Sequence, residues 1–99
     1  MTNQYVYVVL VVKRAVNNEG ATLREETTVL GVCDSEDAAI WLQYHDAVAG
    51  WISADPMPED RRTAVAAHAA QCACGTYSMF YRVECHPIYG AAELADPEV

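Results

Sequence analysis

From Tyr5 to Val12 the chain reads YVYVVLVV, an unbroken run of aromatic, β-branched and leucine residues closed by Lys13 and Arg14. Such residues favour strands, and a run without polar alternation asks for cover on both faces, so residues 5–14 are expected to form a central strand. Asn17, Asn18, Glu19 and Gly20 follow; Asn and Gly tolerate the positive φ of a chain reversal, which places a hairpin turn there. Residues 22–33 form the returning strand, polar over TLREETT and apolar over VLGVC. Its charged half suits a projecting edge, where Arg24, Glu25 and Glu26 discourage pairing with other chains.

At Asp34 the pattern changes to a helical period. Asp34 or Ser35 can cap, and Glu36 and Asp37 occupy a first turn, where the helix dipole favours acids. Ala38, Trp41, Leu42, Val48, Ala49 and Ile52 recur at three- and four-residue spacing, which predicts a core-facing stripe with His45 inside it. The segment DPMP at 55–58 ends this helix, because a residue before proline resists the α region. A second helix is expected from near Pro58, with Glu59 and Asp60 behind it, through RRTAVAAHAAQCAC to Gly75.

From Thr76 the period is two. Tyr77, Met79, Tyr81, Val83 and Cys85 share one face, and Ser78, Arg82, Glu84 and His86 the other, which Phe80 interrupts. That interruption predicts partial cover of the polar face, by a second subunit or by the acidic, punctuated tail of residues 88–99. The order β-β-α-α-β predicts an α+β two-layer sandwich: a three-stranded, mainly antiparallel sheet with two helices on one face, forming a single domain over residues 1–99.

Length and composition narrow the function classes. A chain of 99 residues supports one modest core. Hydrophobic residues at 53% with a mean hydropathy of zero argue against disorder, although the net charge is −8. Fourteen acidic residues stand against six basic ones, with Lys13 the single lysine, so no basic stripe exists for a phosphate backbone and direct nucleic-acid binding is not expected. No positive charge precedes the apolar run near the start, no small-residue cleavage site follows promptly, and the run falls short of the roughly 20 residues a membrane span needs. A cytoplasmic protein is expected, with its four cysteines as thiols, since no C-x-x-C occurs.

The richest chemistry lies in HAAQCACGTYSMFYRVECH, residues 68–86, which holds two of the three histidines and three of the four cysteines. His68 and Cys72, four apart on a helix, can point the same way. Cys74 lies about 200° around from Cys72 and joins only if the helix unwinds. Cys85 is in phase with the core face, whereas His86 points away. A metal set would draw on His68, Cys72 and Cys85, with distortion Cys74 or Cys33, yet the paired ligand spacings of structural zinc sites are missing. Neither a metal nor another cofactor is expected, and the stretch reads as a helix end docking beside its following strand.

Catalytic signals are equally thin. Asp46 diverges by about 100° from its neighbour His45 and does not orient it. A dyad of His68 with Cys72 or Cys85 is geometrically open but lacks a third group, and no G-x-S-x-G, P-loop, H-E-x-x-H or G-x-G-x-x-G motif occurs. No catalytic residue is assigned, and the chain is read as a non-enzyme.

Charge is the remaining feature. Acids at the two helix starts and in the tail have structural reasons, which leaves Glu19, Glu25, Glu26, Asp46, Asp55 and Glu84. With Trp51 and Phe80 as exposed apolar candidates, these residues define the expected partner-binding surface. A small acidic protein can present carboxylates where phosphates would sit. The expected function is therefore a non-catalytic inhibitor or adaptor that binds a basic, nucleic-acid-handling protein. No motif names a family, although the size and acidity would suit small phage and mobile-element inhibitors of the anti-CRISPR type. The competing expectation is a homo-oligomeric assembly module whose sheet meets a second copy, as in a homodimer.

Overall fold

A computed structural model describes residues 4–89. Strands β1 (Tyr5–Val16) and β2 (Thr22–Cys33) precede helices α1 (Glu36–Ala49) and α2 (Arg61–Cys72), and strand β3 (Tyr77–Pro87) closes the order. The strands form one antiparallel sheet in the order β2-β1-β3. The α+β architecture expected from the pattern is the one observed. β1 is the central strand, and Val9, Leu10, Val11 and Val12 are all buried. Their unbroken apolar run suits the one strand that has neighbours on both sides.

The hairpin turn forms at the expected place. The side-chain oxygen of Asn17 accepts from the backbone N–H groups of Glu19 (2.8 Å) and Ala21 (2.9 Å), and Gly20 takes a φ of 88°. The charged half of β2 is exposed, as an edge should be, but it does not stand free of the sheet. Lys13 pairs with Glu26 and Arg14 with Glu25, so the ladder runs to the hairpin tip.

Register assigns each side chain to a face. Gly31 and Tyr81 pair with Val9 and Val11, which share a face because they are two apart. The helices meet the sheet there. A Cβ on Gly31 would come 2.8 Å from the Leu42 side chain, Tyr81 hydrogen-bonds Asp46, and the His68 and Tyr81 rings lie 6.5 Å apart. The molecule is 15 Å thick in its shortest dimension, room for two layers at a spacing of about 10 Å and for no third.

The helices differ from the sequence reading in rotation and in length. Ser35 caps α1 by accepting from the Ala38 N–H at 3.1 Å. The buried residues of α1 are Ala39 and Ala47, whereas Trp41, His45, Val48, Ala49 and Ile52 are exposed. Of the expected stripe only Leu42, against Gly31, and half-buried Ala38 turn inward, because small side chains let the helix approach the sheet and α2 closely while large ones would hold it off. Trp41 is instead covered by the Arg61 guanidinium, 4.1 Å from its ring. Ile52 lies beyond the helix, which Gly50 closes by donating its N–H to the Asp46 carbonyl at 3.1 Å.

α2 begins later than Pro58, at Arg61, because Asp60 supplies the cap. Its carboxylate accepts from the Thr63 N–H (2.9 Å) and hydroxyl (2.8 Å), and these bonds hold its pKa below the ordinary aspartate range. α2 also stops short of Gly75. Cys74 and Tyr77 exchange two backbone hydrogen bonds of 2.9 Å around Gly75, whose φ is 59°. That glycine thus serves the turn into β3 rather than the helix end. Among the described residues no helix is long and apolar enough to cross a membrane. Ile88 donates to the Gln4 carbonyl at 2.8 Å, while most of the expected tail, residues 90–99, lies outside the described part.

Candidate functional site

Two regions bring together side chains with something to offer. The first is a cleft of about 360 Å³ between helices and sheet, lined by residues that include Lys13, Asp46, Gly50, His68, Cys72 and Met79. His68 is only 4% exposed, and its Nε2 lies 3.7 Å from Cys72 Sγ, so the i, i+4 geometry expected from the helix is present. Gly50 makes space for the ring, since a Cβ there would come 2.8 Å from His68 Cε1. His68 Nδ1 is buried without a hydrogen-bond partner.

Among the described residues, nothing in the cleft pairs with the free ring nitrogen of His68. Asp46 accepts from the Tyr81 hydroxyl at 2.5 Å instead of orienting an imidazole. Burial, then this hydrogen bond, drives the Tyr81 phenol far above its ordinary pKa, so it acts as a fixed donor. Cys85, expected in the core, is exposed beside Tyr7, whose phenol it raises by charge repulsion, with burial adding to the shift. Cys74 is exposed in the turn, and Cys33 pairs across the sheet with Tyr7. All four cysteines are free thiols, and among the described residues no three or more His, Cys, Asp or Glu side chains converge on a metal position. The turn after α2 takes Cys74, and Cys85 lies four residues along β3 from the Tyr81 that meets His68, opposite Tyr7.

The second region is the opposite face of the sheet, which no helix covers among the described residues. β1 sends Val6, Val8, Leu10, Val12 and Arg14 to it. Register sets Val32 and Glu84 beside Val8, Val29 and Arg82 beside Leu10, Thr27 and Phe80 beside Val12, and Glu25 and Ser78 beside Arg14. Val29 is 58% exposed and Val32 61%. At the hairpin end the face is closed by its own side chains. Arg14 bonds Glu25 at 2.6 and 2.8 Å and stands 5.4 Å from the Phe80 ring, and Val12 beside them is buried. The aliphatic end, around Val6, Val8, Val29 and Val32, has no such cover.

The side chains expected to bind a partner do not converge. Glu25 and Glu84 share the open face, each held by an arginine, Arg14 and Arg82 (3.1 Å) respectively, and Glu84 also meets His86 at 3.2 Å. Glu26 points to the helix side, 3.6 Å from Arg24. Glu19 sits in the hairpin turn, Asp46 in the cleft and Asp55 in the loop between the helices. Trp51 is half-buried, donating from Nε1 to the Asp55 carbonyl at 3.0 Å. Phe80 is half-buried too, at the margin where β3 meets Val65, Ala66 and Ala69 of α2. Neither is the exposed apolar anchor the sequence suggested, because each finds cover within its own chain.

Val29 and Val32, the exposed pair, were hidden from pattern reading by an irregularity. Leu10 pairs with Val29 and Val9 with Gly31, which leaves Leu30 as an extra residue. The bulge shifts the phase, so two valines three apart share a face. Comparison with protein families, characterised proteins and solved structures finds no match for this chain.

Proposed function

We propose that the protein is a non-catalytic protein-binding module that docks through the open face of its sheet. The observation behind this reading is the aliphatic patch of Val29 and Val32 beside half-buried Val6 and Val8, on a sheet whose other face is packed by helices. Exposed contiguous apolar surface of this kind marks interaction sites. A cytoplasmic setting suits the four free thiols. The expected alternative, a carboxylate surface that occupies a basic groove, draws less support because Glu25, Glu26 and Glu84 are each within reach of an arginine. Such pairing leaves little unbalanced field to steer a basic partner.

The test is site-specific photocrosslinking in the producing cell, with a benzophenone side chain placed at Val32 or, as the control, at Glu59 on the helix side. Discrete protein adducts at position 32 and none at 59 are expected. Adducts confined to position 59, or to neither, would sink the reading.

A further inference from the structure

Resting on that reading, we propose that the occupant of the open face is a second copy of this chain, stacked sheet on sheet about a two-fold axis that crosses the strands between the Val8 and Leu10 rows. Charge supports this choice. The whole chain carries −8, yet the open face balances Arg14 and Arg82 against Glu25 and Glu84. Two bodies of equal negative charge repel, so the one surface on which they can meet at small cost is the neutral one.

Register makes the face complementary to itself. A two-fold axis perpendicular to the strands reverses the order of rows while keeping each strand above its own copy. With the axis between the Val8 and Leu10 rows, Val32 faces Val29 of the second copy, Val8 faces Leu10, and Glu84 faces Arg82. Aliphatic meets aliphatic and Glu84 meets a base, while Glu25 and Arg14, paired with each other, lie outside the overlap. Aligned packing of this kind is the ordinary way two sheets stack.

The area is that of a weak contact. With the axis between those rows residues 5–13 of β1 overlap their copies, so three strands at about 4.8 Å spacing and nine residues at about 3.3 Å give a footprint of roughly 430 Å² per copy, or about 860 Å² for the pair, in the range of weak, reversible association. The segment 90–99, GAAELADPEV, offers only Leu94 and Val99 as large aliphatics against three acids, which is poor material for covering this face instead.

Sedimentation equilibrium on the full chain tests the proposal. A weak dimer is expected at hundreds of micromolar, and it should tighten as salt screens the repulsion between the two acidic bodies. Arg82→Glu should weaken it by roughly tenfold or more, since four carboxylates would then face each other, and Arg82→Glu with Glu84→Arg should return it to within about threefold of wild type. A foreign partner's charges would not swap with it, and because the swap also restores the Arg82–Glu84 pair within each chain, Arg82→Glu must leave the monomer's melting temperature unchanged for the rescue to count. A monomeric wild type overturns the proposal and leaves the docking reading to the crosslinks at position 32. A dimer that survives Val29→Glu with Val32→Glu overturns it as well, and removes the open face from self-association altogether.

Discussion

The two faces of β1 are made of the same residues in opposite situations. Val9 is fully buried beneath the helices, while Val8, its neighbour in sequence and identical in chemistry, is half-buried on the open side. The packed face owes its closure to small residues. Ala39, Ala47 and Ala64 are buried, with Met79 and His68 the longer buried side chains outside β1 among the described residues. Alanines bring backbones close but bury little area, so this core is thin and each large side chain in it matters. On the open face Leu10 and Val12 of the central strand are buried, while Val29 and Val32 of the edge strand are exposed.

The largest expected effect separates the faces directly. Val9→Asp places an unpaired charge in the packed face and should cost about 4 kcal/mol or more, enough to abolish the cooperative thermal transition. Val32→Asp, on the open face, should cost about 1 kcal/mol or less at concentrations where the chain is monomeric. Equal losses of melting temperature in the two variants would show that the open face is part of the monomer's own core.

Gly50→Ala comes next. The new Cβ would press on the His68 ring, which is walled in, so a loss of about 1–3 kcal/mol is expected in denaturant unfolding. Gly31→Ala makes an equally short approach, but to the tip of Leu42, which can turn aside, and should cost under about 1 kcal/mol. The contrast between the two glycines measures how rigidly the His68 side of the core is held.

Tyr81→Phe removes the donor to Asp46 and leaves a half-buried carboxylate to water alone. About 1–2 kcal/mol of stability should be lost at neutral pH, as read by urea titration. The smallest effect concerns pH. Because Asp60 has its pKa lowered in the fold, its cap contributes stability above the unfolded aspartate value of about 3.9 and loses it as pH falls through the folded value. Asp60→Asn should flatten that acid limb of the stability curve, while leaving stability at pH 7 little changed because asparagine also caps.

Much of the architecture was legible before any coordinates. The run YVYVVLVV, the Asn-Asn-Glu-Gly turn, the Ser35 cap and the alternation from Tyr77 to Cys85 each state a local conformation, and local conformation depends on residues near in sequence. The sidedness of α1 was misread because two of its faces carry apolar residues. Hydrophobicity alone prefers the larger stripe of Trp41, Val48 and Ile52, whereas close approach to a sheet selects the smaller one of Ala39 and Ala47.

What only the tertiary structure decided is which groups meet. Asp46 and Tyr81 are 35 residues apart, and Arg14 and Glu25 are 11 apart across a hairpin whose register no single strand encodes. Three of the leftover carboxylates looked free in the sequence although arginines hold them: Glu25 meets Arg14 across the hairpin, and Glu26 and Glu84 meet Arg24 and Arg82 two residues along their own strands. Val29 and Val32 looked out of phase because the bulge at Leu30 is a property of two strands together. Propensity and period are written in one segment at a time, and a shared surface exists only after segments pair, since the pairing register determines which side chains stand side by side.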